Sequence, residues 1–298
     1  MIREGREIMF LALLGLVCAL PLPAAEPDPA LKVAESLYRQ DGPEVALPKF
    51  EQLAARFKTE KNRPDEAMAL HFVGECYWRL GSFDKSREHL DAALAMRKDL
   101  GDRLGEGKTL NVLGLLEWDI GTYDQAIALF RSASAIAHEI GDQKLEGATL
   151  NNVSLVYDEL GDYKTSLAQY KRVLKIYQGT DFPRGEGDTY SNIGGVYLLL
   201  GQYRTALDYY EKSLVISRQL DSKLTLGLDH GNIGLAYLGL GEVDTAIMHF
   251  DQAIELAVET GLHYDAAIWQ RGKGNAFIRK GRYDDGLKYH RMALATYK

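Results

Sequence analysis

The stretch Gly101-Asp102-Arg103-Leu104-Gly105-Glu106-Gly107-Lys108-Thr109 ends in Gly-Lys-Thr, as loops that cradle nucleotide phosphates do. Such a loop needs a glycine five residues before Gly107 and a strand leading into it, because its backbone N–H groups must turn onto the phosphates. Position 102 is aspartate and residues 96–100 read as helix, so both requirements fail. Gly231, Gly234, Gly239 and Gly241 imitate a dinucleotide fingerprint only when lifted out of a longer pattern. The seven histidines include no His-x-x-x-His pair, and no serine sits in a Gly-x-Ser-x-Gly elbow. Asp284-Asp285 falls at a helix start, where the dipole favours acids and no catalytic role is needed. The two cysteines are Cys18 and Cys76. Cys76 lies in a column held elsewhere by Leu116, Val156 and Ala236, which marks it as a small buried hydrophobe rather than a reactive thiol. The expectation is no catalytic centre, no metal site and no cofactor.

Binding chemistry is more promising. Asn111, Asn151, Asn152, Asn192 and Asn232 lie two or three residues before a recurring glycine or serine. Asparagine is a middling helix former, so a band of five needs a reason. One reason is structural, amides tying neighbouring helices together. The other is recognition, since an amide can donate and accept at once along the backbone of an extended peptide. On the same expected face fall Trp78, Trp118, Leu115, Leu155, Leu198, Leu235, Leu238 and Ile278, with Arg79, Lys108, Asp119, Glu159, Arg271 and Arg279 beside them. The partner-binding set expected from these is the five asparagines with Trp78, Trp118, Lys108, Leu155 and Leu198. No basic clamp for a C-terminal carboxylate stands out.

What positions these residues is a repeat of 40 residues. Gly81, Gly121, Gly161, Gly201, Gly241 and Gly281 recur without a slip. Seven residues before each stands Gly74, Gly114, Ser154, Gly194, Gly234 or Gly274, and nine residues after each a large side chain such as Leu90, Phe130, Tyr170, Tyr210 or Phe250. Apolar residues recur at three- and four-residue spacing, so each unit reads as two amphipathic helices. Glycine ends a helix cheaply in the left-handed conformation, and Asp102 and Asp142 can cap the helix that follows. The small residues at 74 and 86 are expected to face each other across the hairpin and admit close approach. Asp221 and Gly261 are weaker echoes of the same punctuation, and Phe182-Pro183 and Asn62-Arg63-Pro64 mark two further boundaries. The pattern predicts an all-α solenoid of about seven antiparallel helix pairs over 28–298, in units 28–60, 61–100, 101–140, 141–180, 181–220, 221–260 and 261–298. The concave face is built from the first helix of each pair.

Residues 1–25 read as a signal peptide. Arg3 and Arg6 precede the apolar run MFLALLGLVCAL at 9–20, Pro21-Leu22-Pro23 breaks it, and Ala24-Ala25 offers a cleavage site. This places the chain in the periplasm or outside the cell; an uncleaved segment anchored in the inner membrane is the alternative. A formal net charge of −7 without a long basic run disfavours nucleic acid and anionic membranes as partners. Tyr289, Met292, Leu294 and Tyr297 place an apolar face on the last helix, which allows end-to-end self-association.

Leu110, Leu113, Gly114, Ala126, Phe130 and Ala133, and again Tyr190, Ile193, Gly194, Tyr197, Ala206 and Tyr210, resemble the tetratricopeptide-repeat pattern, with six residues added to its usual period. The longer unit is similar to a subgroup that includes kinesin light chains and bacterial peptide-sensing regulators. It also resembles the repeats that precede caspase-like CHAT protease domains in secreted bacterial proteins, although no caspase-like segment is present. The resemblance implies a right-handed superhelix holding a protein or extended peptide in its groove, as a scaffold that is not an enzyme. The alternative it implies is the regulatory or substrate-recruiting arm of a larger protease.

Overall fold

The computed structural model describes residues 26–296; the leader expected at 1–25 and Tyr297 lie outside them. The described residues form fourteen helices and no strand. They pair in chain order as α1 (Pro29–Asp41) with α2 (Pro43–Glu60), α3 (Arg63–Arg79) with α4 (Phe83–Leu100), and α5 (Arg103–Ile120) with α6 (Tyr123–Ile140). The series continues with α7 (Gln143–Glu159) and α8 (Tyr163–Tyr177), α9 (Pro183–Leu199) and α10 (Tyr203–Gln219), α11 (Lys223–Leu240) and α12 (Val243–Glu259), and α13 (His263–Arg279) and α14 (Tyr283–Thr296). Each helix packs mainly on the one before and the one after, which is the stacking of an α-solenoid.

The punctuation follows backbone chemistry. Gly81 and Gly121 adopt φ of 72° and 91°, left-handed values that glycine reaches without strain and that close the turn inside each hairpin. Between hairpins, Asn62, Asp102 and Asp142 each accept from the backbone N–H three residues on, satisfying one of the open donors of the next helix. Asp221 keeps the punctuation without a glycine. It occupies the glycine column itself, with φ 49°, and Ser222 takes over the cap by accepting from the Thr225 N–H.

The hairpins close around a glycine seat. A Cβ on Gly114 would lie 2.6 Å from the Phe130 ring, one on Gly194 2.6 Å from Tyr210, and one on Gly234 2.9 Å from Phe250. The small column at 74 therefore receives the large side chain of the 90 column. It meets the 86 column backbone to backbone, as in the 3.1 Å approach that Gly74 would make to the Ser86 oxygen. The close approach expected of the two small columns is present, and the large side chain of the 90 column fills the seat beside it. Where serine replaces glycine at 154, its hydroxyl turns back to the Leu150 carbonyl at 2.8 Å and leaves room for Tyr170, whose own hydroxyl donates to Asp158 at 2.8 Å.

Cys76 is fully buried, and burial pushes its thiol up to about 12, so it stays protonated and inert. His290 packs against Gly274, as its column requires. On α14, Met292 and Leu294 are exposed. Tyr289 is turned inward, stacked on Phe277 at 5.5 Å and accepting from Lys273 Nζ at 2.8 Å, so the terminal apolar face is narrower than the sequence suggested.

Candidate peptide-binding groove

From α3 to α13 each odd-numbered helix touches the next odd-numbered one, and the even-numbered helices have no comparable contact. The odd helices therefore form the crowded inner wall of the curve and the even ones splay outside it. Six hydrogen bonds along the inner wall share an offset of 41 residues, one more than the repeat, while the Thr109–His71 and Tyr38–Glu75 bonds span 38 and 37.

The asparagine band is a ladder with three rungs. Asn152 Nδ2 donates to Asn111 Oδ1 at 2.9 Å, Asn192 Nδ2 to Asn151 Oδ1 at 3.1 Å, and Asn232 Nδ2 to Ser191 Oγ at 3.3 Å. These bonds join α5, α7, α9 and α11, so the amides do tie helices together. Each uses only one of its two polar groups in doing so. Asn111 and Asn151 keep their Nδ2 hydrogens, and Asn152, Asn192 and Asn232 keep their carbonyl oxygens. None of these appears among the buried side-chain atoms that lack a partner. All five residues are half-buried. The wall thus presents donors and acceptors outside the rungs, the complement of a peptide backbone. Ser191 belongs to this set and was not picked out by residue type; the offset of 41 from Asn232 is the signal that finds it.

The other expected residues divide. The indole N–H of Trp78 donates to Asp119 at 2.6 Å, and that of Trp118 donates to Glu159, which also accepts from the Tyr123 hydroxyl at 3.0 Å. Both tryptophans are half-buried and spend their polar atom on the next helix. Leu155 is half-buried against Tyr170, Ile193 and Val196 and packs between helices. Leu198 faces an open hollow of about 470 Å³ shared with Tyr203, Leu235, Leu238 and Ile278. Lys108 is exposed, whereas Thr109 beside it is fully buried, with its hydroxyl donating to the Gly105 carbonyl at 3.0 Å. The Gly-Lys-Thr triplet is split between solvent and a helix interface, and Arg103–Ile120 is helix throughout, so no phosphate loop forms. Among the described residues, no group of three histidine, cysteine or acidic side chains could hold a metal ion, and no helix is long and apolar enough to cross a membrane.

Outside the groove the structure buries ionisable groups that spacing did not expose. Arg97, at the end of α4, donates to the Gly105 carbonyl and to Thr109 Oγ1 at 2.8 Å, and burial lowers its pKa. Asp229 accepts from Ser217 Oγ at 2.6 Å, and burial raises its carboxyl to about 6. His230 and His249 stand Nδ1 to Nδ1 at 3.0 Å, both lowered first by burial, His230 to about 4.

A tetratricopeptide-repeat profile matches residues 28–99, 105–179 and 224–298, and a second profile of the same description matches 187–220. The chain belongs to the tetratricopeptide-repeat family. A search of the curated proteins finds no match. Solved structures similar to this tetratricopeptide-repeat chain include aspartyl phosphate phosphatase F from Bacillus subtilis, 16% identical with a TM-score of 0.73 over 90% of this chain and 69% of that one. The Rap conjugation gene regulator of plasmid pLS20, solved in complex with a peptide, is 18% identical with a TM-score of 0.64 over 90% of this chain and 72% of that one. A kinesin light chain repeat protein from Podosopora anserina is 15% identical with a TM-score of 0.52 over 64% of this chain and 94% of that one. At these identities the likeness is one of fold.

Proposed function

We propose that this tetratricopeptide-repeat chain is an extracytoplasmic scaffold that holds an extended peptide, or an extended segment of a protein, in the groove of its odd-numbered helices, with no catalysis of its own. One observation carries the reading: the asparagine ladder is anchored by three interhelical bonds and still leaves an N–H or a carbonyl of every amide outside them. Anchoring fixes the amides before a ligand arrives, which lowers the ordering penalty of binding. A solved Rap regulator of similar fold is itself a peptide complex. A tetratricopeptide scaffold that grips backbone has no need of a catalytic residue.

The test is a phage-displayed library of random dodecapeptides selected on the intact chain, followed by affinity measurement of the selected peptides. The double variant Asn151→Ala with Asn192→Ala removes one rung and two amides. It is expected to bind the selected peptides about tenfold more weakly, about 1.4 kcal/mol, the scale of one or two net hydrogen bonds. Unchanged affinity in a variant with the parent's helical circular dichroism would remove the ladder from the site.

The leader is the support for an extracytoplasmic location: two arginines, an apolar run at 9–20 and Ala24-Ala25. Expression of the complete sequence in a bacterium is expected to yield a mature chain beginning at Glu26 in the periplasm or medium. A cytoplasmic chain retaining residues 1–25 by mass spectrometry would overturn this part of the proposal.

A further inference from the structure

The inner wall is not uniform in charge. Column by column from α3 to α13, the position that ends the exposed stripe is Arg79, Asp119, Glu159, Leu199, Gly239 and Arg279. In the first half of the array the acids are occupied: Asp119 and Glu159 accept the indole hydrogens of Trp78 and Trp118, and Arg79 lies over the Trp78 ring at 4.8 Å. At the other end, α13 carries Arg271, Asn275 and Arg279 at intervals of four residues, hence on one face, and all three are exposed. No carboxylate among the described residues pairs with Arg271 or Arg279. Arg279 spends one N–H on the Leu238 carbonyl near the end of α11, which fixes its side chain over the wall and leaves the rest of its guanidinium free.

Beside this cationic stripe lies the hollow of about 470 Å³, to which Asn275 and Arg279 themselves contribute. Gly239 forms part of its lining. The Tyr203 ring comes so near that a Cβ at 239 would be 2.5 Å from it, and the space above is walled by Leu198, Leu235, Leu238 and Ile278. An open, largely apolar hollow rimmed by the Arg279 fork and the Asn275 amide, with Arg271 further along the same helix face, is a site of mixed chemistry. Arginine presents its donors in a planar fork that suits carboxylates, and apolar surface left open to water favours a large apolar side chain.

We propose that this end of the groove is a specificity site for acidic–apolar peptide segments: one leucine- to phenylalanine-sized side chain enters the hollow between α9, α11 and α13, and side-chain carboxylates engage Arg279 and Arg271. Resting on the reading that the groove holds extended peptide, it adds which sequences are chosen. The two arginines are two helical turns apart, about 12 Å along the α13 axis. An extended segment running along that axis covers this in about four residues. The preferred motif is therefore an apolar residue with an acid two residues on, on the same face, and a second acid about four residues beyond it. The charge pattern selects against basic segments, which would meet Arg271 and Arg279 unshielded.

The experiment uses the full chain and C-terminally amidated, fluorescein-labelled dodecapeptides on a Gly/Ser/Ala background, read by anisotropy at low and moderate salt. One peptide carries Leu-Gly-Asp with a second Asp four residues on; one replaces Leu by Ala; one replaces both Asp by Lys. The first is expected to bind at least tenfold more tightly than either control, with an affinity that falls as salt rises. Arg271→Glu with Arg279→Glu, both on the exposed face of α13, is expected to lose that preference and to favour the lysine peptide. Equal binding of the three peptides, or an unaltered preference in the double variant, overturns the inference. Selection of library peptides without an acidic–apolar bias does the same while leaving groove binding intact. If the unbiased library yields no binder at all, groove binding itself fails, and the inference with it.

Discussion

Phe130→Ala is expected to destabilise the α5–α6 hairpin by about 3–5 kcal/mol, the range for removing a phenyl ring from a closed core. Phe130 has no exposed surface, and it packs with Ala126, Ile127, Val153 and Val156. Its ring lies directly against the bare backbone of Gly114, so the cavity left by alanine is lined by a residue that has no side chain to move into it. In a solenoid each unit leans only on its neighbours, so the loss should be felt first at residues 101–160 rather than across the array. Urea unfolding with limited proteolysis checks both statements: cleavage should begin in this segment at denaturant concentrations that leave α11–α14 protected. A loss below 1 kcal/mol would mean that the seat is not the closed core described above.

Asp229→Asn is expected to stabilise the chain by about 3 kcal/mol at pH 8 and to make it markedly more sensitive to acid. The Asp229 carboxyl, 2% exposed, is raised to about 6 chiefly by burial, with Ser217 and Ser213 hydrogen bonds pulling it down and Asp188 pushing it up. An acid whose folded pKa exceeds its unfolded one favours the folded state at low pH, and that contribution is lost as pH rises through about 6. Two pKa units correspond to about 3 kcal/mol. His230, next along α11, does the opposite. Burial, His249 and Arg218 hold it near 4, so its contribution is complete above the ordinary histidine range and is lost as pH falls from about 6.5 towards 4. The two slopes oppose each other between pH 4 and 6, so these two groups together leave little net pH dependence there. Asparagine keeps the acceptor for Ser217 and removes the charge, leaving the histidine slope alone. Thermal unfolding at pH 4, 6 and 8 should show the variant ahead at pH 8, with the advantage gone by pH 4. A constant difference across that range would contradict the assignment.

The framework was legible because backbone chemistry speaks through residue type. Gly81 and its equivalents mark left-handed turns, and Asp102 and Asp142 mark caps, whatever surrounds them. Side-chain partners across helices were legible only in part. The asparagines stood out as a band, yet their pairing depends on how far one odd helix slides against the next, which hydrophobic period alone does not set. Ser191 completes the ladder without being an amide. The inward turn of Arg97 and Lys273 had no signature either, since a long cation reads as surface until its carbonyl, carboxylate or hydroxyl partners are in place. His230 and His249 belong to different helices and meet only when α11 packs on α12.

The rungs of the ladder also share one offset. On α7, Asn152 gives its hydrogen to the preceding unit while Asn151 beside it receives one from the following unit; on α9, Asn192 gives and Ser191 receives. α7 and α9 thus each join the unit before and the unit after through adjacent residues. Any unit bearing the pair can follow any other. Duplicating or excising the block 141–180 would bring a free donor opposite a free acceptor each time. The array carries its own joinery, and its length could change by whole units without redesigning a seam.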